Sequence, residues 1–334
     1  MLLTALVVLC AADGGEPSPS ITNGVIRTVG FIQSAKEYAA AQHGSGASNG
    51  FNREVDARGT WHAQVGQDRT LAKLFHHKRQ GYFVDLASNE PIFLSNTRTL
   101  ERDFGWRGLC IDGNFDLVLK VLRQRMCQPV HAVVTNHTGD TVRFTTPIKL
   151  KTAHDDIVAS GYGGVVTDEG FVHDLHGRDR SGWKVDTHTT VSLIELLTHY
   201  AAPRVIDYLS LDVEGVEDAV FLDFDLSRFT FNAITIERPS AALRAKLHRG
   251  GYAYVGDHGC FGDTFWVHSS MVQQAEHALH VRVDMSSDGS TLDQWFGNCS
   301  IATGESKKEL RGVESVFRRS GRPASATTGT AAVL

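Results

Sequence analysis

Residues 81–114 read GYFVDLASNEPIFLSNTRTLERDFGWRGLCIDGN and contain two short apolar runs, Tyr82–Leu86 and Gly108–Asp112. The segment between them, Asn96–Phe104, has the composition of a helix. Short and nearly continuous apolar runs are typical of strands that are buried on both faces of a parallel sheet. This part of the chain therefore predicts a strand, a helix and a second strand that lies parallel to the first.

The same alternation continues toward the C-terminus. The further elements that it predicts are strands at Val130–Thr135, Ile206–Val213 and Ala233–Glu237 and helices at Asp116–Met126, Ser192–Tyr200 and Ala241–Arg249. After them, Tyr252–Val255 and Thr264–His268 flank a Gly-rich turn and predict an antiparallel hairpin. Alternating strands and helices indicate an α/β protein, and we expect a doubly wound, mostly parallel sheet with a terminal antiparallel hairpin.

Composition divides the chain into a central domain and two flanking segments. Residues 13–60 are rich in Gly, Ser, Ala and Asn and predict a leader or linker, whereas residues 61–300 carry the alternating elements. Within this domain, residues 145–189 interrupt the alternation, and we expect an inserted cap or substrate loop there because ordinary connections are shorter. Residues 301–334 turn basic and then become rich in small residues, which predicts a disordered tail.

Size and charge exclude several classes of partner. The chain has 334 residues, of which 42% are hydrophobic, so it can bury a sizeable core. Its 33 basic and 38 acidic residues give a formal net charge of −5, which argues against nucleic acid or an anionic membrane surface as the partner. No run reaches the roughly 18 apolar residues of a membrane-spanning helix, so we expect no membrane span in the mature chain.

The N-terminus has features of a secretory signal. Residues 1–12 read MLLTALVVLCAA, an apolar run that ends in small residues. The sequons that begin at Asn136 and Asn298 agree with a secretory route, to the ER or Golgi lumen or the cell exterior. The alternative is an ordinary N-terminus and a cytoplasmic protein.

Cysteine spacing gives no metal or redox motif. Cys10 would leave with the signal peptide, and the four cysteines that remain are Cys110, Cys127, Cys260 and Cys299. They form no C-x-x-C pair, which argues against a zinc knuckle or a thioredoxin-type site. We expect buried free thiols, with one or two disulfides as the alternative if the route is secretory.

Acidic residues lie at or near the ends of three of the predicted strands. Asp85 lies near the end of the first, Asp112 ends the second, and Asp212 and Glu214 lie at the end of the fourth. In open α/β sheets, ligands bind at the carboxyl ends of the strands. Asp112 lies about 27 residues after Asp85, close to the spacing at which an acidic side chain binds the ribose of a nucleoside. The alternative role for Asp112 is a helix N-cap.

Six segments carry the motifs of one family. They are the stretch 81–114 quoted above, WHAQVGQD at 61–68, TTVSLIELL at 189–197, IDYLSLDVEGVEDAVF at 206–221, AITIERP at 233–239 and FGDTFWVH at 261–268. Through these segments the chain resembles the FkbM family of S-adenosylmethionine-dependent methyltransferases, in particular its eukaryotic and algal branch. The resemblance extends from about Trp61 to His268.

The resemblance implies a Rossmann-like class I methyltransferase fold, S-adenosylmethionine as the cofactor, and O-methylation of a hydroxyl on a glycan or small metabolite. By position, the residues that it assigns to cofactor binding are Asp85, Ala87, Ser88, Asn89, Asp112, Asn114 and Asp212. Asp212 and Glu214 are the candidates for the catalytic site, where they would face the methionine or the acceptor.

Two residues depart from the family's pattern. Ala87 and Pro91 stand where the family usually has Gly in the loop after the first strand, and glycines there allow unusual dihedral angles and close approach to the ligand. We expect that restoring Gly costs about 0.5–1 kcal/mol of stability per residue. A non-catalytic binding or structural module on the same scaffold is therefore the alternative function.

Methyl transfer to a hydroxyl also needs a group that accepts the proton. The candidates are Asp212, Glu214 and, from the inserted loop, His173, His176 or His188. The alternative for the two acidic residues is a structural role at the start of the following helix. We expect no metal site, because His173-Asp174-x-His176 matches no strong ligand spacing.

Overall fold

The computed structural model describes residues 61–146, 163–167, 170–171, 183–259, 261–289 and 295–296. Several sequence predictions lie outside these residues. They are the signal peptide at 1–12, the leader at 13–60, the tail at 301–334, and the predictions made for His173, His176, Cys260, Asn298 and Cys299.

Seven α-helices lie in this part of the chain. They are α1 (Gln67–Leu74), α2 (Arg98–Phe104), α3 (Phe115–Gln124), α4 (Leu193–His199), α5 (Glu217–Phe221), α6 (Ala241–Arg249) and α7 (Val272–Leu279). Polar side chains begin three of them: Asn114, Ser192 and Ser240 each accept a hydrogen bond from a backbone N–H in the first turn of α3, α4 and α6, respectively. The four helices predicted from the sequence all form, with ends that differ by at most two residues.

The strands number thirteen within the same residues. They are β1 (Tyr82–Leu86), β2 (Arg107–Asp112), β3 (Gln128–His131), β4 (Val133–Thr135), β5 (Thr141–Thr146), β6 (Gly164–Thr167), β7 (Gly170–Phe171), β8 (Lys184–Ser192), β9 (Val205–Leu211), β10 (Thr230–Glu237), β11 (Tyr252–His258), β12 (Asp263–His268) and β13 (Trp295–Phe296).

Eight strands form the main sheet, in the order β13-β11-β12-β10-β9-β1-β2-β3. The five strands from β3 to β10 in this order are mutually parallel, whereas β12 runs antiparallel to both β10 and β11. Successive residues point to opposite faces of a sheet. Val84 and Leu209 accordingly join one buried cluster, and Phe83 and Tyr208 join a second. Burial on both faces explains why these strands are almost continuously apolar in sequence.

A second sheet has the order β4-β8-β5-β6-β7. Its first strand follows β3 after the single residue Ala132, so the predicted strand Val130–Thr135 is two strands that belong to different sheets. The region 145–189, expected as a loop, supplies β6, β7 and most of β8. The polar run KVDTHTTVS forms β8, half exposed along most of its length, and therefore lacks the apolar signal of the main sheet. The α/β class is confirmed, with mixed sheets.

A disulfide joins Cys110 in β2 to Cys127 just before β3. Both side chains are buried in the core between these neighbouring strands. The expectation of free thiols is therefore wrong for this pair. None of the helices among the described residues is both long enough and apolar enough to cross a membrane.

Candidate functional site

The acidic residues singled out in the sequence meet at one edge of the main sheet. Because β1, β2, β9 and β10 are parallel, their carboxyl ends share this edge. Asp85 lies opposite Cys110 of β2 on one side and Ser210 of β9 on the other. The backbone N–H of Asp212 donates to the carbonyl of Leu86 at 3.4 Å, so the end of β9 lies directly beside the end of β1.

The segment from Ala87 to Thr97, which we call the β1–α2 loop, begins with an unusual backbone. Ala87 has φ of 61° and Asn89 has φ of 50°, both in the left-handed region. The N–H of Ser88 donates to the Ile111 carbonyl at 2.9 Å, which ties the loop to β2. Ala87 therefore adopts the conformation that a glycine would favour at this position, despite its methyl group.

This geometry reverses the expected effect of glycine at position 87. We predict that Ala87→Gly raises the free energy of unfolding by about 1 kcal/mol, because a left-handed φ costs an L-residue roughly that much. Urea denaturation measures the change. Ala242→Gly in α6 is the matched control and should lower stability by a similar amount, because Ala242 is helical. A lower stability for Ala87→Gly would contradict this prediction.

Asp112 links the ends of β1 and β2. One carboxylate oxygen accepts from the N–H of Asn89 at 2.9 Å and the other accepts from the N–H of Asn114 at 2.8 Å. Burial raises the pKa of Asp112 to about 6, although these two hydrogen bonds act to lower it. The side chain that caps α3 belongs to Asn114, which accepts from the N–H of Asp116, so the alternative role of Asp112 as the N-cap is wrong.

Asp85 is buried below the same edge. Its Oδ2 accepts a hydrogen bond from the Thr97 hydroxyl at 2.5 Å. Burial raises the pKa of Asp85, and the Thr97 hydrogen bond and the positive charge of Arg125 oppose that rise. Thr97 of the β1–α2 loop and Arg125 thus both stabilise the ionised form of this buried acid.

Three polar atoms around this edge are buried and have no hydrogen-bond partner among the described residues. They are Ser88 Oγ, Asn96 Oδ1 and Asp212 Oδ1. Asn96 lies beside β9, because its Nδ2 donates to Ser210 Oγ at 3.0 Å. A buried polar atom without a partner costs about 1–3 kcal/mol. Unpartnered polar atoms at the carboxyl ends of parallel strands are consistent with a site for a polar ligand such as a cofactor.

A cluster of carboxylates lies at the ends of β9 and β10. One carboxylate oxygen from each of Asp212, Glu214 and Glu237 lies within 4.8 Å of the others, and this set could hold a metal ion. Burial, and then the charge of Asp212, raises the pKa of Glu237 well above its ordinary value. The same two causes raise the pKa of Asp263, at the start of β12, to about 7.

Glu237 is not among the site residues predicted from the sequence, although it ends the predicted strand Ala233–Glu237 and lies within the motif AITIERP. An acidic residue at a strand end was the available signal. The structural role suggested for Asp212 and Glu214 is filled by Glu217, whose Oε1 accepts from the N–H groups of Val213 and Gly215.

The second sheet forms one wall of a cavity beside Asp112. The cavity has a volume of about 450 Å³, and its lining includes Asn114, Phe115, His131 and Lys184. The ring centroids of Phe115 and His131 lie 5.1 Å apart. The ring centroids of His131 and His188 of β8 lie 5.5 Å apart in an edge-on arrangement. His188, a candidate proton acceptor, therefore lies at the cavity.

The two sheets are closely packed where this cavity begins. Phe144 of β5 lies against Gly113, where an added Cβ would come within 2.6 Å of the Phe144 ring. The second sheet therefore approaches the end of β2 as closely as a glycine permits.

Comparison with known proteins agrees with this geometry. Residues 125–254 match the family model described as the methyltransferase FkbM domain, and this range runs from the end of α3 into β11. No curated protein and no solved structure matches the chain. The matched range contains Asp212, Glu214 and Glu237 as well as the whole second sheet. Residues 125–254 are therefore similar to the methyltransferase FkbM domain, in agreement with the resemblance that the sequence motifs carry.

Proposed function

We propose that this protein is an S-adenosylmethionine-dependent O-methyltransferase that acts on a hydroxyl of a glycan or small metabolite. The observation that carries the proposal is the set of buried, unpartnered atoms Ser88 Oγ, Asn96 Oδ1 and Asp212 Oδ1 at the carboxyl edge of parallel strands. The strand order β3-β2-β1-β9-β10, followed by the antiparallel β12, supports a Rossmann-like class I fold.

The residues at this edge divide into three groups along a bound cofactor. Ser88, Asn96 and Asp212 would hold the methionine part through the atoms that lack partners. Asp112 would accept hydrogen bonds from the ribose hydroxyls. The cavity beside Phe115 would receive the adenine ring of the cofactor. S-adenosylmethionine supplies a sulfonium-bound methyl group that is open to nucleophilic attack.

The carboxylate cluster supplies the proton chemistry. An acceptor hydroxyl must lose its proton as it attacks, and a carboxylate whose pKa is raised toward neutral pH is a better base. Burial and then the charge of Asp212 raise the pKa of Glu237, and the positive charge of Arg238 opposes that rise. Asp212 and Glu214 would orient the hydroxyl, and one of the three carboxylates would take its proton.

Cofactor binding tests the proposal without knowledge of the acceptor. At one hundred times its dissociation constant, S-adenosylhomocysteine should raise the free energy of unfolding by roughly 2.7 kcal/mol, which a thermal shift detects. Asp112→Ala should weaken binding by roughly 1–3 kcal/mol, while Asp103→Ala, at an exposed position, should leave the affinity unchanged. Absence of binding to the folded wild type would contradict the proposal and favour a non-catalytic module.

The pH dependence of binding gives a second test. Burial raises the pKa of Asp112 to about 6, so its carboxylate gains a proton as the pH falls through that value. A protonated Asp112 accepts fewer hydrogen bonds from a ribose. Titration calorimetry should therefore show weaker binding of S-adenosylhomocysteine below pH 6 than above it, and a smaller loss over this range in the Asp112→Ala variant.

We also propose that the protein follows the secretory route. The Cys110–Cys127 disulfide supports this location, because disulfides persist in oxidising compartments. Asn136, which begins a sequon, is exposed in the turn between β4 and β5, so it is accessible to glycosylation. Native protein should begin near Asp13 and lose mass on treatment with a glycan-removing enzyme. An intact Met1 and an unmodified Asn136 would contradict this location.

A further inference from the structure

We propose that Arg125 is a positioning residue for the cofactor, which acts by holding the β1–α2 loop in its binding conformation. This inference rests on the proposed function. Arg125 directly follows α3, and its side chain reaches the β1–α2 loop. Arg125 is fully buried, with an exposed fraction of 0%. Arginine is almost never fully buried without partners, so its contacts indicate its role.

The guanidinium of Arg125 contacts the β1–α2 loop at three points. Its Nη1 donates to the Pro91 carbonyl at 3.2 Å and to Ser95 Oγ at 3.0 Å. Its Nη2 donates to Thr97 Oγ1 at 2.9 Å. One side chain thus fixes the middle and the end of the loop, while hydrogen bonds from Ser88 and Asn89 to β2 and Asp112 fix its beginning.

The Thr97 hydroxyl continues this chain of hydrogen bonds to the cofactor edge. It accepts from Arg125 and donates its own proton to Asp85 Oδ2 at 2.5 Å. A hydroxyl that accepts from a cation becomes a stronger donor, so the charge of Arg125 is transmitted to Asp85. The positive charge of Arg125 also lowers the pKa of Asp85, against the rise due to burial. Arg125 therefore sets both the shape of the loop and the charge of the buried acid beneath it.

The segment that carries Arg125 is itself held rigidly. Glu101 of α2 accepts from Arg125 Nε at 3.2 Å and from the backbone N–H groups of Met126 and Cys127 at 2.9 Å each. Cys127 is bonded to Cys110 of β2. A side chain on such a fixed base can hold a loop in one conformation, which is the requirement for a preformed site.

Arginine suits this position better than lysine. The planar guanidinium presents five donors in a fixed geometry, whereas a lysine ammonium presents one compact charge. Three acceptors in the loop and one on Glu101 occupy the donors of Arg125 in different directions. Lysine would keep the positive charge near Asp85 and lose most of the contacts to the loop.

The full chain with Arg125→Lys tests the inference, and Arg98→Lys is the matched control. Arg98 is also buried, and its Nη1 donates to Glu101 Oε1 at 3.1 Å and to the Gln124 carbonyl at 3.3 Å. Both variants lose contacts of a buried arginine with the same carboxylate. We expect Arg125→Lys to weaken S-adenosylhomocysteine binding at least 10-fold in calorimetry and Arg98→Lys to change it less than 3-fold.

Two further readouts separate positioning from general stability. Amide hydrogen exchange in unliganded protein should quicken at residues 89–95 in Arg125→Lys and stay unchanged there in Arg98→Lys. Thr97→Val removes the hydroxyl between Arg125 and Asp85, so the pH below which binding weakens should move upward. This shift follows because an Asp85 without that donor holds its proton to a higher pH. Thr97→Val also keeps the inference testable if Arg125→Lys does not fold.

The outcomes are distinguishable. Equal losses of affinity in the two arginine variants, together with unchanged exchange at residues 89–95, would overturn the role of Arg125. An unchanged pH profile in Thr97→Val would overturn the link from Arg125 to Asp85. Failure of the wild type to bind S-adenosylhomocysteine would instead contradict the proposed function, and hydrogen exchange would still decide whether Arg125 holds the loop.

Discussion

An Asp212→Asn variant is expected to lose methyl transfer by about 100- to 10,000-fold, the usual contribution of a positioned acid or base. Asp212 lies where the ends of β9 and β10 bring three carboxylates within 4.8 Å of one another. Asparagine keeps the shape of the side chain and removes its charge, so it can neither accept a proton nor raise the pKa of its neighbours. Transfer of a radiolabelled methyl group to a mixture of hydroxyl-bearing metabolites and glycans measures the loss.

The same variant should be more stable than the wild type at neutral pH. The charge of Asp212 contributes to the raised pKa values of Glu237, of Asp263, and of Glu217, which reaches about 7. A carboxyl whose pKa is raised in the folded state weakens folding as the pH rises from about 4 to about 7. Removal of Asp212's charge should therefore stabilise the protein at pH 7 to 8 and have little effect near pH 4.

Asp103→Asn is the control for this pair of measurements, because Asp103 is exposed and pairs with Arg102 at the surface. It should change neither activity nor the pH dependence of stability. A stable Asp212→Asn variant with full activity would show that Asp212 is not part of the catalytic machinery. A destabilised variant at pH 8 would show that the carboxylate cluster is not under electrostatic repulsion.

Removal of the disulfide is the change with the largest expected effect on stability. The bond between Cys110 and Cys127 closes a loop of about 17 residues. Loss of such a cross-link costs about 3 kcal/mol, since the unfolded chain gains conformational freedom. Denaturation of the Cys110→Ala/Cys127→Ala double variant should show this loss at pH 7.

A reducing agent provides the matched test. Wild-type protein with dithiothreitol should unfold at nearly the denaturant concentration of the double variant, and the double variant itself should be insensitive to the reagent. Each single variant should lose about as much as the double one, because either change breaks the same bond. A wild type that is indifferent to reduction when unfolded and refolded would contradict the presence of the disulfide.

The main sheet could be predicted because burial on both faces leaves a direct trace in the sequence. Four of the five parallel strands, β1, β2, β9 and β10, contain short apolar runs. The helices between the strands begin at cap residues such as Asn114 and Ser192. Asp85, Asp112 and Asp212 could be placed near one another for the same reason, since parallel strands align their carboxyl ends.

The second sheet left a much weaker trace. Strand β8 is polar and half exposed along most of its length, so neither continuous nor clearly alternating hydrophobicity marks it. The switch from β3 to β4 at Ala132 is also invisible, because both strands belong to one apolar run. Arg125 could not be found from sequence either. Its role depends on contacts with residues 24 to 34 positions away in the chain, which only the fold brings together.

The way the second sheet joins the first bears on how new substrate preferences can arise. The chain enters this sheet at Val133 and leaves it at Ser192, and β4 pairs with β8 so that Val133 lies opposite Thr190. Entry and exit are therefore neighbours, as they are in a module inserted into a host fold. Replacement of the chain between these two points would leave the strand order of the main sheet unchanged. Such an exchange would leave the carboxyl edge of the main sheet in place and change the wall of the cavity beside Asp112.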